Sequence, residues 1–231
     1  MEITFERRFR GPLTSANGGY ACGRLAAFVE AEDVEVTLRQ PPPLERSLVV
    51  CHEDGVVVLL DGDAVVAQAR SATVGLDSPP VVSLCEAEAA RERHVRGWSP
   101  EFGECFVCGD RSSGDGLGIR VGSVVGREPV HAAPWTPSES APEMVWAAID
   151  CPGAYAIGAE GRGQVVLGRM TARILRVPEA GEPCVVTAWP VAEEGRKLFA
   201  GTALFAEDGE LLALARQVWI TPRPQGPGMP R

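Results

Sequence analysis

The sequence lacks the basic character that nucleic-acid binding and membrane-surface binding require. Its 231 residues include 22 lysines and arginines against 31 aspartates and glutamates, which gives a formal net charge of −9. Nonspecific nucleic-acid binding needs a basic surface, and anionic membranes attract basic segments. No apolar run approaches the roughly 20 residues of a membrane span, and the longest apolar cluster, residues 56–60, has the length of a strand. We therefore expect neither a nucleic-acid partner nor a membrane partner.

The N-terminus also lacks the order of a secretory signal. Residues 1–8 read MEITFERR, without a basic segment followed by an apolar one. The seven cysteines are an odd number and are scattered along the chain, whereas a secreted disulfide framework is denser and even. We therefore expect a cytoplasmic protein in which most cysteines are small buried hydrophobic residues.

The order of predicted elements occurs twice along the chain. In the first half, a strand at 3–9 and a helix at about 18–30 precede apolar or alternating segments that predict strands at 34–39, 47–52, 55–60 and 64–74. In the second half, the corresponding strand lies at 117–125, followed by a proline-containing loop at 126–142 and a helix at 143–150. Strands are then predicted at 164–176, 184–190, 197–206 and 210–220. This internal repeat indicates two copies of one supersecondary unit.

The repeat predicts the domain boundaries. We expect an N-terminal unit at 1–80 and a C-terminal unit at 105–222, joined by an exposed, charged helix within 81–104. The segment 223–231 is rich in proline and glycine, which predicts a flexible tail.

Three local motifs resemble those of hotdog-fold thioesterases. They are an Asn-Gly-Gly turn that opens a helix at 16–20, a Cys-x-x-Cys-Gly segment at 105–109, and a helical segment that ends in an aspartate at 145–150. Together with the repeat, they make the chain similar to double-hotdog acyl-CoA thioesterases of the thioesterase II and phenylacetate types. The resemblance implies an α+β fold in which each of two tandem hotdog units curls an antiparallel sheet around a helix.

The resemblance implies hydrolysis of an acyl thioester such as acyl-CoA. This chemistry needs hydrogen-bond donors at the carbonyl oxygen and a carboxylate that activates water or attacks directly. A helix N-terminus supplies unpaired amides. The helix predicted here starts after Asn17, so the backbone amide of Gly19, flanked by those of Gly18 and Tyr20, would polarise the carbonyl group of the substrate. The alternative interpretation is an ordinary helix capped by Asn17.

The two halves have lost complementary parts of such a site. The thioesterases that this chain resembles place the carboxylate nine residues after the first motif position. Counting from Asn17 gives Ala26, whereas counting from Ala141 in the second half gives Asp150. The second half in turn has Pro142 and Glu143 where the amide donors belong. Since each helix N-terminus of a hotdog pair faces the other half, we predict one complete site, with Asp150 as base or nucleophile. The alternative for Asp150 is a carboxylate that merely ends a helix.

The resemblance also implies helper residues. Gln217 matches the position at which thioesterase II types carry a glutamine that helps to hold the attacking water. That family also has a hydroxyl residue on the strand after the helix, but the equivalent position here is Gly168, and the nearest candidate, Thr171, lies three residues later. An outward-facing strand residue is the alternative for both Gln217 and Thr171. We expect Asn17 and Gly18 to contact the substrate, and the acyl chain to pass Tyr20, Trp146 and Tyr155.

The sequence predicts no metal and no cofactor. Structural zinc needs four ligands, and Cys105 and Cys108 supply two, without a second pair at suitable spacing. Cys85, His94 and His131 would have to converge by chance. Cys151 lacks an evident histidine base, so we do not predict a cysteine nucleophile.

The sequence is compatible with two other functions. A non-catalytic protein that binds acyl ligands would keep the fold without turnover. A hotdog dehydratase would need a histidine–acid pair, and no histidine lies near Asp150 or Asn17 in sequence. Because the edges of such sheets often pair further, a homodimer is a further expectation.

Overall fold

The protein is described here by a computed structural model that covers residues 1–77, 79–95, 100–111, 114–163 and 165–221. The first half contains β1 (Glu2–Thr4), α1 (Gly18–Ala26), β2 (Asp33–Leu38), β3 (Ser47–Glu53), β4 (Val56–Asp61) and β5 (Ala64–Ser71). Helix α2 (Leu84–Arg91) follows. The second half contains β6 (Gly122–Ser123), β7 (His131–Trp135), α3 (Pro142–Ala148), α4 (Cys151–Ala156), β8 (Val166–Ile174), β9 (Cys184–Glu194), β10 (Lys197–Ala206) and β11 (Leu211–Ile220). The predicted tail at 223–231 lies outside the described residues.

The strands of the described residues form one antiparallel sheet whose order shows the repeat directly. The order is β1-β3-β4-β5-β2-β8-β11-β10-β9-β7-β6. Read from each outer side to the centre, the first half gives β1-β3-β4-β5-β2, and the second gives β7-β9-β10-β11-β8 with the two-residue strand β6 added outside β7. Apart from β6, each copy is therefore a strand, a helical segment and four further strands, and β2 and β8 join the copies at the centre. The predicted α+β fold of two tandem units is confirmed.

An ion pair crosses the seam between the two halves. On neighbouring strands β2 and β8, the Arg173 guanidinium binds the buried Asp33 carboxylate with two nitrogens, one of them 3.0 Å from Oδ2. The amide of Val74 also donates to Asp33 Oδ2, at 2.9 Å. Burial acts to raise the pKa of Asp33, but the hydrogen bonds from Arg173 and Val74 outweigh it, so the pKa lies below its usual value. Asp33 therefore stays ionised and links the copies.

The first strand of the second half differs from the sequence prediction. The 117–125 segment contributes only the two-residue strand β6, whereas β7 falls in the segment 126–142 that we predicted as a loop. The prolines in that segment favoured a loop, yet Pro134 lies within β7. Strand β6 pairs only with residues 131 and 132, so Pro134 has a partner strand on one side and an open edge on the other. An edge strand tolerates the missing N–H of proline.

Helix α2 lies in the segment between the two units. Ser83 and Glu86 form a reciprocal capping box at its start, which satisfies two amides of the first turn. Its Ala87 and Ala90 are fully buried in a small cluster that also contains Val82, Val124, Ala132 and Val185. The helix therefore covers part of the second half's sheet, on β7 and β9. The prediction of an exposed helix is correct for one face only, because the small alanine side chains of the other face pack on the sheet.

The helices α1 and α3 pack against each other in the core, and this contact positions the candidate site. A Cβ atom built on Gly23 of α1 would lie 2.8 Å from both Glu143 Cα and Trp146 Cβ of α3. The backbones therefore approach closely where glycine leaves room. Among the described residues, no helix is long and apolar enough to cross a membrane.

Candidate active site

Asn17 fixes the N-terminus of α1. Its backbone amide donates to the carbonyl oxygen of Phe9 (2.8 Å), and its side-chain Oδ1 accepts a hydrogen bond from the amide of Tyr20 (2.9 Å). This is a helix cap in the usual sense. The capping bond leaves the Nδ2 group of Asn17 available, and Nδ2 donates to Oδ2 of Asp150 at 2.9 Å. The cap and the predicted site residue are therefore the same side chain.

Asp150 lies at a break between the two short helices α3 and α4. Pro152 falls in the first turn of α4, where its missing N–H has no partner to lose. The break leaves backbone carbonyls to be satisfied from the sheet. Gln217 Nε2 donates to the carbonyl oxygens of Ile149 (2.6 Å) and Asp150 (3.0 Å), and Thr202 Oγ1 donates to that of Ile149 (2.8 Å). Strands β10 and β11 thereby hold the Asp150 backbone.

The Asp150 carboxylate from the second half meets the N-terminus of α1 from the first half. Its Oδ2 accepts hydrogen bonds from the amide of Gly19 and from Asn17 Nδ2, each at 2.9 Å. A Cβ atom on Gly19 would lie 2.4 Å from Asp150 Cβ and 2.5 Å from the carbonyl oxygen of Trp146. Only glycine allows this approach. The amide of Gly19 therefore holds the carboxylate, whereas we predicted that it would face the substrate carbonyl.

Burial controls the ionisation of Asp150. Only 2% of the residue is exposed, and this desolvation raises the pKa of its carboxyl to about 7. The hydrogen bond from the Gly19 amide opposes the shift, the nearby Cys105 adds to it, and the hydrogen bond from Asn17 opposes it. Among the described residues, Oδ1 of Asp150 has no hydrogen-bond partner. Oδ1 is therefore a buried acceptor without a partner among these residues, while Oδ2 is already bound.

A cavity of about 330 Å³ reaches these groups. Residues from both halves line it, including Asn17, Gly18, Asp150, Cys151, Leu38, Leu167, Gly168, Trp219 and the exposed Arg39 and Gln40. Its size falls in the range of small-molecule sites. Within the described chain, no hydrogen bond uses the backbone amide of Gly18, the first residue of α1. Two lining residues, Gly18 and Asp150, therefore carry an unused donor and an unused acceptor among the described residues.

The other predicted residues lie elsewhere. Tyr20 stacks on Phe9 with ring centroids 4.0 Å apart and accepts a hydrogen bond from Arg24 (3.1 Å). Trp146 packs against Gly23 of α1. Thr171 pairs with Glu35 and Arg216 on the neighbouring strands. The structure does not bring these three side chains to the lining of this cavity, and it places Gly168, not Thr171, there.

Gln217 binds backbone carbonyls and is not among the residues that line the cavity. Its Nε2 group is used by the two carbonyls of the helix break, and its Oε1 accepts from Trp219 Nε1 at 2.8 Å. A Cβ atom on Gly153 would lie 1.7 Å from Gln217 Oε1, so the glycine makes room for this side chain. The Gln217 side chain thus positions Asp150 by binding the main chain of Asp150.

The equivalent site with the roles of the two halves exchanged would combine the N-terminus of α3 with residue 26 of α1. This mirror position is incomplete, as its sequence implies. Ala141 at the start of α3 makes no side-chain capping bond, Pro142 has no amide to donate, and Glu143 occupies the first turn. Ala26, at the position equivalent to Asp150, offers no carboxylate.

Sequence reasoning missed one association beside Asp150. Cys151 lies with Cys105 and Cys108, and the three sulfur atoms form a buried group. The spacing of the Cys-x-x-Cys motif gave no indication of the third thiol, because Cys151 is 43 residues beyond Cys108 and arrives through the helix break.

No family model matches the chain, and comparison with curated proteins finds no match. Solved structures do match. A hotdog-fold protein of unknown function from Alicyclobacillus acidocaldarius superposes with a TM-score of 0.66 at 12% identity, over 96% of this chain and 93% of that one. This chain has a double-hotdog fold. The TesB protein of Mycobacterium avium subspecies paratuberculosis matches with a TM-score of 0.57 at 16% identity, over 90% of this chain and 88% of that one. Acyl-CoA thioesterase II TesB2 from Mycobacterium marinum matches with a TM-score of 0.53 at 12% identity, covering 84% and 81%.

Proposed function

We propose that this double-hotdog protein hydrolyses an acyl thioester, such as acyl-CoA, at one site between its two halves. The observation that carries the proposal is the contact of Asp150 Oδ2 with the Gly19 amide and Asn17 Nδ2, each at 2.9 Å, in the lining of a shared cavity. The names of the TesB and acyl-CoA thioesterase II neighbours give independent support for this reaction class.

The proposed reaction uses the two unoccupied polar groups of the cavity. Asp150 Oδ1 takes a proton from a water molecule, whose oxygen forms a bond with the thioester carbonyl carbon. The amide of Gly18 donates to the carbonyl oxygen as it becomes negative, which is the role of a helix N-terminus in such sites. The carbon–sulfur bond then breaks, the thiolate leaves and takes up the proton, and a carboxylic acid is released.

The remaining polar groups hold this arrangement in place. Gly19 and Asn17 fix Oδ2, so the carboxylate is oriented with Oδ1 unbound. Gln217 and Thr202 fix the carbonyl of Ile149, one residue before the base. Positioning of this kind lowers the entropy cost of the reaction.

The test is a steady-state assay of the full chain against acyl-CoAs of increasing chain length, comparing the wild type with Asp150→Asn. General-base catalysis contributes about 10²–10⁴-fold to rate, so we expect kcat to fall by that factor. Glu143→Gln, which changes the carboxylate of the incomplete mirror position, is the matched control and should retain the wild-type rate.

Other outcomes of this assay would reject hydrolysis. Equal and negligible rates for wild type and Asp150→Asn, with acyl-CoA still bound, would indicate a non-catalytic acyl-binding protein. Hydration of an enoyl-CoA without thiol release would indicate a dehydratase.

A further inference from the structure

Three buried thiols converge beside Asp150 from two distant segments. Cys105 and Cys108 belong to the turn that follows residues 100–102, and Cys151 is the first residue of α4. Their sulfur atoms all lie within 4.8 Å of one another, and Sγ of Cys105 is 3.7 Å from Sγ of Cys151. None of the three forms a disulfide. Burial as small hydrophobic residues would explain each cysteine singly, but it does not explain why three sulfurs meet.

The local backbone is built to present the two sulfurs of the Cys-x-x-Cys segment together. The amide of Gly109 donates to the carbonyl oxygen of Cys105 at 2.9 Å and closes the turn. A Cβ atom on Gly109 would lie 2.3 Å from the amide nitrogen of Cys105, so the turn requires glycine at this position. The motif Cys-x-x-Cys-Gly is thereby explained as a tight loop with both thiols directed at Cys151.

A side-chain amide lies beside two of the three sulfur atoms. Asn17 Nδ2 is 3.9 Å from Cys105 Sγ and 3.8 Å from Cys151 Sγ. An N–H donor at this position stabilises thiolate, the form in which cysteine binds metals.

We propose that Cys105, Cys108 and Cys151 together bind one zinc-class metal ion through three thiolates. A zinc–sulfur bond of about 2.3 Å places the sulfurs of a tetrahedral site about 3.8 Å apart, and the 3.7 Å separation of Cys105 and Cys151 fits that value. In the described part of the chain, no histidine or carboxylate joins the cluster, so a non-protein ligand takes the fourth position. Three thiol protons leave to solvent on binding.

The cavity gives the ion a route to this site. Cys151 lines the same cavity as Asn17 and Asp150, so one ligand of the cluster is reached from the surface. A bound ion would tie the start of α4 to the Cys105 turn and so fix the backbone on which Asp150 lies. The proposal does not depend on the hydrolytic function, because a structural metal site needs no substrate.

The test uses the full chain, reduced and treated with a chelator under anaerobic conditions. Titration with Co²⁺ should give a thiolate-to-metal charge-transfer band and intense visible bands of a tetrahedral ion, which saturate at one equivalent per chain. Added Zn²⁺ should abolish these bands. With Zn²⁺ about a hundredfold above its Kd, the thermal midpoint should rise by roughly 5–10 °C.

A cysteine variant and a thiol map locate the site. Cys108→Ser should lose the charge-transfer band, whereas Cys184→Ser, which changes another buried thiol outside the cluster, should keep it. Alkylation at a denaturant concentration at which the metal-free wild type exposes these thiols, followed by peptide mass spectrometry, avoids any variant that does not fold, because Zn²⁺ should protect Cys105, Cys108 and Cys151. Absence of the Co²⁺ band, a band retained in a folded Cys108→Ser variant, or equal alkylation of the three thiols with and without Zn²⁺ would each overturn the proposal.

Discussion

The close approach of α1 to Asp150 makes Gly19→Ala a sensitive test of the site geometry. The added methyl would lie 2.4 Å from Asp150 Cβ and 2.5 Å from the carbonyl oxygen of Trp146, and a backbone oxygen cannot move without shifting α3. Overpacking of this kind costs up to about 3 kcal/mol. Replacement of glycine restores about 1 kcal/mol by restricting the unfolded chain. We therefore expect a net loss of about 2 kcal/mol in the free energy of unfolding.

Gly18→Ala is the matched control for this stability measurement. Its methyl would meet Leu167 at 3.0 and 3.2 Å and Leu38 at 3.4 Å, and these contacts involve side chains that can adjust. Since about 1 kcal/mol shifts the midpoint by roughly 2–4 °C for a chain of this size, Gly19→Ala should melt roughly 4–8 °C below the wild type. Gly18→Ala should melt within about 3 °C of it. Equal midpoints for the two variants by circular dichroism would refute the close contact.

Three further predictions concern residues around the site and the seam. Gln217→Ala removes two buried hydrogen bonds to the helix break, although the Ile149 and Asp150 carbonyls keep their bonds from Thr202 and from the Gly153 amide. The loss of two bonds should lower the free energy of unfolding by about 1–3 kcal/mol, and kcat should fall with little change in KM; a rise in KM alone would contradict a positioning role. The pKa of Asp33 is lowered in the folded state, so its pair with Arg173 stabilises the fold above the unfolded-state pKa of about 3.9 and loses this effect as pH falls. Asp33→Asn should therefore lower the urea midpoint of unfolding at pH 7, and the midpoint of the variant should fall less than that of the wild type as the pH is lowered. Parallel plots of midpoint against pH for the two proteins would count against the pair. Tyr20→Phe should leave KM for acyl-CoA within about twofold, because the side chain lies in the core; a large increase would place it at the substrate.

The strand repeat could be predicted from local patterns, and the meeting of Asp150 with the first turn of α1 from the resemblance to hotdog thioesterases. Alternating apolar residues mark β2, short apolar runs mark β3, β4 and β5, and the family's nine-residue spacing, counted without gaps, located Asp150.

Other features depend on tertiary contacts that no local pattern encodes. The prolines around β7 favoured a loop, and only the one-sided pairing of that strand explains how Pro134 is tolerated. The bond from Gly19 to the carboxylate requires the actual separation of two helices, so sequence alone assigned that amide to the substrate. The third thiol at Cys151 reaches Cys105 only because the helix breaks at Asp150. Thr171 alternates to a face that does not line the cavity.

The most direct test of the central claim is a double-mutant cycle between the two halves, measured as kcat for thioester hydrolysis. Asn17→Ser keeps a good helix cap but removes the Nδ2 donor to Asp150, and Asp150→Asn removes the base. If the two residues act as one site, the double variant should be no slower than Asp150→Asn, within about threefold. If instead the double variant loses the product of the two single effects, the residues act independently, and a site shared between the two halves is ruled out.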